Sequence, residues 1–178
     1  MDIIISSIAI ILLSPLLLLL CLLELIFHGR PVLYIDKSPG KNGKIFNLYK
    51  FRSMNNKCDD KGNLLHASKR ITSFGRFLRR TSLDELAGLF SIINGMISII
   101  GARPLMKEYL PLYNDRHKYR HSVRHGLACW KVNNFENITP STWTWNAQFE
   151  SDIYYVENIS FLLDLWMVIK TIKIFFKK

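Results

Sequence analysis

The chain has 178 residues, enough for one domain with a real core and short for two, and 49% of them are hydrophobic. Lys and Arg number 24 against 14 Asp and Glu, a net charge of +10, and the first basic side chain is Arg30, so the excess sits on the body behind a start that lacks basic residues. Such a surface calls for an anionic partner: phospholipid headgroups, nucleotide phosphates or nucleic acid. Three cysteines, Cys21, Cys58 and Cys129, with no C-x-x-C pair, give no sign of a disulfide framework or a zinc site and read as a reducing compartment. The Asn-x-Ser/Thr triplets at Asn137 and Asn158 are then chance matches.

From Ile3 to Leu23 the chain is uncharged and long enough to cross a bilayer core as a helix. It has neither the basic n-region nor the small-residue cleavage site of a signal peptide, so it is expected to stay on the protein. Ser14-Pro15 lies in its middle, where proline removes an N–H and clashes with the preceding turn. Two outcomes are open: a kinked span with the Ser14 hydroxyl as a local partner, or a re-entrant helix that returns to the face it entered. In either, Arg30, Lys37, Lys41 and Lys44 place the body on the cytoplasmic side. The expected division is an inserted segment over 1–28 and a body over 29–178.

YIDKSPGKNGKIFNLYKFRSM reads as a turn, marked by Pro39-Gly40 and Asn42-Gly43, then a short strand between Lys44 and Met54. CDDKGNLLHASKR is a polar loop, and ITSFGRFLRR through INGMISIIGARPL reads as two helical stretches with an exit at Gly101. In RRTSLDELAGLF, Ser82 and Glu85 have the capping-box spacing, in which each side chain satisfies the other's backbone N–H. Asp84 and Glu85 also suit a first helical turn, where the dipole favours negative charge. Lys69, Arg70, Arg76, Arg79 and Arg80 cluster nearby, while Lys50, Arg52 and Arg103 stand among apolar neighbours and need partners, a phosphate being one. His117, His121 and His125 recur every four residues, one stripe on a helix; Lys118, Arg120 and Arg124 beside them oppose a metal, so a surface or lipid-facing stripe is expected. The last segment, from Phe161, mixes bulky apolar residues with Lys170, Lys173 and Lys177 on one stripe, as in a helix lying in the headgroup plane. No phosphate-binding glycine loop or dinucleotide fingerprint occurs, and no nucleic-acid recognition module is visible. The fold expected is an α-rich α+β body with interfacial helices.

The order of segments carries more than any one of them. A Ser-Pro-broken apolar start is followed by KFRSM, FGRFLRRTSLDEL, GARPL, EYLPLYN and SFLLDLWMVIKT. Together these resemble the bacterial sugar transferase family, the small monotopic phosphoglycosyl transferases. The resemblance implies transfer of a sugar 1-phosphate from a UDP-sugar to undecaprenyl phosphate at the cytoplasmic face of the bacterial inner membrane. It implies release of UMP, a requirement for Mg²⁺, and a product that starts a polysaccharide or glycoprotein glycan, with downstream glycosyltransferases as further partners. It makes Ser14-Pro15 the membrane bend, Asp84 the nucleophile and magnesium partner, and Glu85 its companion acid. Lys50, Arg79 and Arg103 fall on positions that bind phosphate. Where the family reads Pro-Gly, Thr-Gly, Gln and Gly-Arg, this chain reads HGLACWKVNNF, and Lys131 stands as a substitute positive charge. The alternative is an inactive relative that holds partner enzymes or lipid at the membrane.

Overall fold

The computed structural model describes residues 1–129 and 144–176. Helix α1 runs through Asp2–Phe27 with Pro15 inside it. Proline has no N–H for the Ile11 carbonyl one turn back, and the Ser14 hydroxyl donates to that same oxygen at 2.8 Å. The acceptor orphaned by the proline is thus satisfied from the neighbouring side chain, which matters most where no water is present. Of the residues facing the body, Ser6, Leu17, Leu20 and Glu24 are buried, and Ile10 and Leu13 pack beside them. Positions 6, 10, 13, 17, 20 and 24 alternate steps of four and three, which is one stripe of a helix. The opposite face stays bare, with Ile11 and Leu12 71% and 74% exposed. α1 is long and apolar enough to cross a membrane.

Strands β1 (Leu33–Pro39) and β2 (Ile45–Phe51) form an antiparallel hairpin, with Leu33 opposite Phe51 and Pro39 opposite Ile45. The connection, Lys41–Gly43, uses Asn42 (φ 56°) and Gly43 (φ 73°), two residue types that tolerate left-handed backbone. The turn and β2 agree with the sequence reading. β1 corrects it, because the residues before the Pro39-Gly40 and Asn42-Gly43 signals, read as part of a turn, pair as a strand with β2.

Helices α2 (Ala67–Arg70), α3 (Ser73–Thr81) and α4 (Gly88–Ile93) follow, with a 3₁₀ turn, Leu83–Ala87, between the last two. Strands β3 (Ser98–Gly101) and β4 (Gly126–Cys129) pair in parallel and are joined through α5 (Asp115–Lys118) and two 3₁₀ turns. α6 (Trp145–Glu157) and α7 (Phe161–Phe176) close the chain. The result is the expected helix-rich α+β body. Its core lies under α1: Leu17, Leu20, Phe51, Leu78 and Ala87 form one cluster, and Leu48, Leu89, Ile92 and Ile97 another. On α7 the apolar residues Phe161, Leu162, Leu165, Trp166 and Ile169 are exposed while Met167 is buried, and Lys170 Nζ sits 3.9 Å over the Trp166 ring. Of the lysine stripe expected on this helix only Lys170 is described; the Lys173 side chain and Lys177 lie outside the described residues.

The histidine stripe does not form. His117 is in α5, His121 in the 3₁₀ turn Tyr119–Ser122 and His125 just before β4, and all three are buried rather than on the surface. A change of backbone geometry every few residues replaces the single helix that the four-residue spacing implied.

Candidate active site

α3 is set by its cap. Thr72 is the N-cap, and its hydroxyl oxygen accepts from the Gly75 N–H at 2.9 Å. One turn in, Gly75 lies so close to the preceding loop that a Cβ would sit 1.9 Å from the Ser53 carbonyl oxygen. That contact brings Ser53 beside α3, and Arg79 Nε donates to Ser53 Oγ at 2.8 Å. The hydroxyl therefore fixes the direction of the arginine fork.

α3 ends at Thr81, and Ser82 adopts a left-handed conformation (φ 56°) that returns its N–H to Arg79 and Leu78 carbonyls. The expected capping box is overturned here: Ser82 makes no side-chain cap bond, because it closes one helix in left-handed geometry instead of opening the next in extended geometry. Asp84 and Glu85 follow in the 3₁₀ turn, anchored below by buried Ala87. With three residues per turn, adjacent side chains point about 120° apart, so the two acids face different directions. Asp84 is half-buried and Glu85 exposed. Both lie in the opening turn of a continuous helical run into α4, where backbone N–H groups favour negative charge.

Lys50, next to last in β2, is half-buried with its ammonium 3.6 Å from Asp36. β2 packs directly on the turn that bears the acids, since Phe51 and Ala87 belong to one core cluster. Lys50, Arg79 and Asp84 therefore stand on three neighbouring elements, β2, α3 and the turn that follows α3. Arg103 belongs to the other sheet, just beyond β3. It is exposed, and both its backbone groups are held from below: its N–H donates to Asp152 Oδ1 at 3.1 Å, and its carbonyl accepts from Arg120 Nη2. Lys131 lies outside the described residues. Among the described residues no group of three or more His, Cys, Asp or Glu is assembled for a metal.

A family model described as bacterial sugar transferase matches residues 1–178. The chain belongs to the bacterial sugar transferase family. It is 42% identical over 145 residues to the uncharacterized sugar transferase EpsL of Bacillus subtilis, covering 82% of this chain and 70% of that protein. It is 33% identical over 180 residues, 97% of this chain, to a UDP-N-acetylgalactosamine-undecaprenyl-phosphate N-acetylgalactosaminephosphotransferase of Aeromonas hydrophila. It is 34% identical over 177 residues, 96% of this chain, to a UDP-glucose:undecaprenyl-phosphate glucose-1-phosphate transferase of Xanthomonas campestris. The chain spans only 42% and 37% of the length of the last two relatives.

Membership frames the residues that sequence reading passed over. Ser53, in the family-like KFRSM, is the hydroxyl that steers Arg79. Arg120 and Asp152 form a fully buried ion pair under Arg103, with Asp152 Oδ2 2.5 Å from Arg120 Nη2. Nothing in their surroundings in the sequence announces burial. Glu24 and His28 were more legible, since Glu24 closes the uncharged run and His28 follows at the i, i+4 spacing of a helical pair.

Proposed function

We propose that the protein is a membrane-associated phosphoglycosyl transferase that moves a sugar 1-phosphate from a UDP-sugar to undecaprenyl phosphate. The observation that carries this reading is the half-buried Asp84 at the start of a helical run, with Lys50 and Arg79 on the two elements packed against its turn. The named activities of the Aeromonas and Xanthomonas relatives support the same substrate classes.

In this reading one Asp84 carboxylate oxygen attacks the β-phosphorus of the donor. The bond from that phosphorus to the bridging oxygen breaks, and UMP leaves with the electron pair. An oxygen of undecaprenyl phosphate then attacks the aspartyl phosphosugar and the carboxylate departs, regenerating Asp84. Division into two displacements is what a carboxylate nucleophile offers. Two anionic substrates approach an anionic side chain, so positive charge has to surround it. Arg79, oriented by Ser53, and Lys50 supply part of that charge, and Arg103 is assigned to phosphate as well. Lys131 is assigned to the same task. Asp84 offers a hard oxygen donor of the kind Mg²⁺ takes, and that ion is ordinarily held by one or two carboxylates together with substrate phosphates. Bound there, it would neutralise charge on the pyrophosphate.

We place α1 in the cytoplasmic leaflet of the inner membrane as a re-entrant helix that bends at Ser14-Pro15 without crossing the bilayer. Both of its ends touch one body: Asp2 accepts from Ser98 Oγ and lies 3.7 Å from Arg124, while Glu24 is buried at the far end. A bilayer between those ends would prevent one of the two attachments. The glycan started by the product belongs to a surface polysaccharide in this reading, as the name of the exopolysaccharide production protein ExoY of Sinorhizobium fredii, 34% identical over 189 residues, suggests.

The test is UMP release by purified protein given undecaprenyl phosphate, Mg²⁺ and a panel of UDP-sugars, beside Asp84→Ala. Release that needs both the lipid and Asp84 is the expected result. Silence across the panel, in an assay where a verified relative is active, would overturn the reading in favour of an inactive relative that serves as a membrane scaffold.

A further inference from the structure

The polar groups at the C-terminal end of α1 form a chain that the proposed reaction does not use. The side chains of Glu24 and His28, one turn apart, are both closed to solvent. The His28 Nδ1 to Glu24 Oε2 distance is 2.8 Å, and the other ring nitrogen, Nε2, is 2.8 Å from Thr72 Oγ1. Each ring nitrogen is thus within hydrogen-bond distance of one side-chain oxygen, so the imidazole is held from both sides. The Thr72 oxygen that meets Nε2 is the same one that accepts the Gly75 N–H at the start of α3. The imidazole thus decides how the α3 cap is oriented.

The main chain of His28 makes a second tie. Its carbonyl accepts from Arg52 Nη1 at 3.3 Å, and the same nitrogen donates to the Pro31 carbonyl at 3.1 Å. Ser53, the next residue, accepts the Thr72 N–H at its carbonyl (3.4 Å) and Arg79 Nε at its hydroxyl. His28, Thr72, Ser53 and Arg79 are therefore linked in sequence by hydrogen bonds, from the inserted helix to the arginine beside the acid-bearing turn. An apolar pair would seal the end of α1 equally well, whereas a carboxylate and an imidazole are costly to bury and directional once paired.

We propose that His28, held by Glu24, is a positioning residue that ties the membrane helix to α3 and so sets the placement of Arg79 and of the turn carrying Asp84. The proposal rests on the transferase reading above. Seating of α1 in the bilayer is by this route transmitted to the site through directed bonds as well as apolar packing.

Asparagine and glutamine separate the two sides of the ring, because an Asn amide overlays Nδ1 and a Gln amide overlays Nε2. In the full chain in lipid nanodiscs, His28→Gln keeps the bond to Thr72 and retains kcat within about threefold. His28→Asn keeps only the bond to Glu24 and loses about tenfold in kcat with little change in KM for the donor, as expected when geometry and not binding is disturbed. Thr72→Val behaves like His28→Asn, and Thr72→Ser, which restores the hydroxyl, behaves like the parent. Amide hydrogen exchange at Gly75 and Arg76 is read in the same samples and does not require turnover: it speeds up in His28→Asn and Thr72→Val and stays at the parent rate in the other two. Equal losses in the Asn and Gln variants, or parent-like exchange in His28→Asn, would overturn the tether even if the protein is an active transferase. The expected exchange pattern in a protein that turns over no UDP-sugar would uphold the tether and count against the transferase reading alone.

Discussion

Asp152→Asn strands a buried charge beneath Arg103. Asp152 accepts four hydrogen bonds: from Arg120 Nη2 at 2.5 Å and Nε at 3.0 Å, from the Arg103 N–H at 3.1 Å and from Gln148 Nε2 at 3.1 Å. Both Asp152 and Arg120 are completely buried, and Arg120 also donates to Tyr113 Oη at 3.0 Å. An amide in place of the carboxylate removes the countercharge and sets an NH₂ group where one carboxylate oxygen had accepted two donors. Breaking a buried pair by neutralising one partner costs about 3–5 kcal/mol, since the other charge remains in a dry site. For a chain of this size each kcal/mol is worth about 2–4 °C, so the midpoint of thermal unfolding falls by about 6–20 °C. Tryptophan fluorescence of the detergent-solubilised protein during heating reads the shift. Replacing both partners, Arg120→Met with Asp152→Leu, recovers more than half of the loss, because neither charge is then stranded. A shift below about 2 °C in the single variant would refute the reasoning. So would a double variant as unstable as the single one. Arg103 is held through its backbone by these same residues, so the double variant, though stable, also loses turnover if Arg103 binds phosphate.

Gly75→Ala puts a methyl carbon 1.9 Å from a backbone oxygen, so α3 has to move off Ser53; about 3 kcal/mol of stability is lost, the upper end of overpacking costs, along with turnover. Parent-like melting would show that α3 is not clamped there. Acid weakens the fold through two imidazoles. Burial, reinforced by Arg120, lowers His121 to about 4 and His125 to about 2, so both are neutral in the folded state while the unfolded chain protonates them near pH 6.5. Between pH 6.5 and 4 the unfolded state holds up to two more protons, and stability drops by up to about 2.7 kcal/mol per pH unit as pH falls. Urea unfolding at pH 7.5, 6 and 5 measures this, and His125→Gln halves the slope; a flat profile in the parent sinks the assignment. A cysteine placed at Met1 is labelled by an impermeant maleimide from the cytoplasmic face of oriented vesicles and not from the other face. Labelling from the periplasmic side alone would mean that α1 crosses.

What the sequence determined by itself is a set of local patterns, their order along the chain and the family they belong to. The apolar run with its Ser-Pro, the basic body and the acids behind Arg79 and Arg80 are local in sequence, and local patterns survive into the fold: an apolar N-terminal helix, the Asn-Gly turn, β2 and the helices on either side of the acids all form. Tertiary structure decided the rest. Ser82 has the spacing of a capping box, yet between α3, clamped on Ser53, and Ala87, buried with Leu17 and Leu20 of α1, the chain passes through a left-handed residue and a 3₁₀ turn. β1 was hidden by the turn signals at its end, and its pairing with β2 defines it. The three histidines share a helical spacing but not a helix, since the chain changes geometry at each to reach β4. The pairs Arg120 with Asp152 and His28 with Thr72 join residues 32 and 44 positions apart. No periodicity connects such positions. Only a packed interior, where an unpaired charge or hydroxyl is expensive, selects those partners.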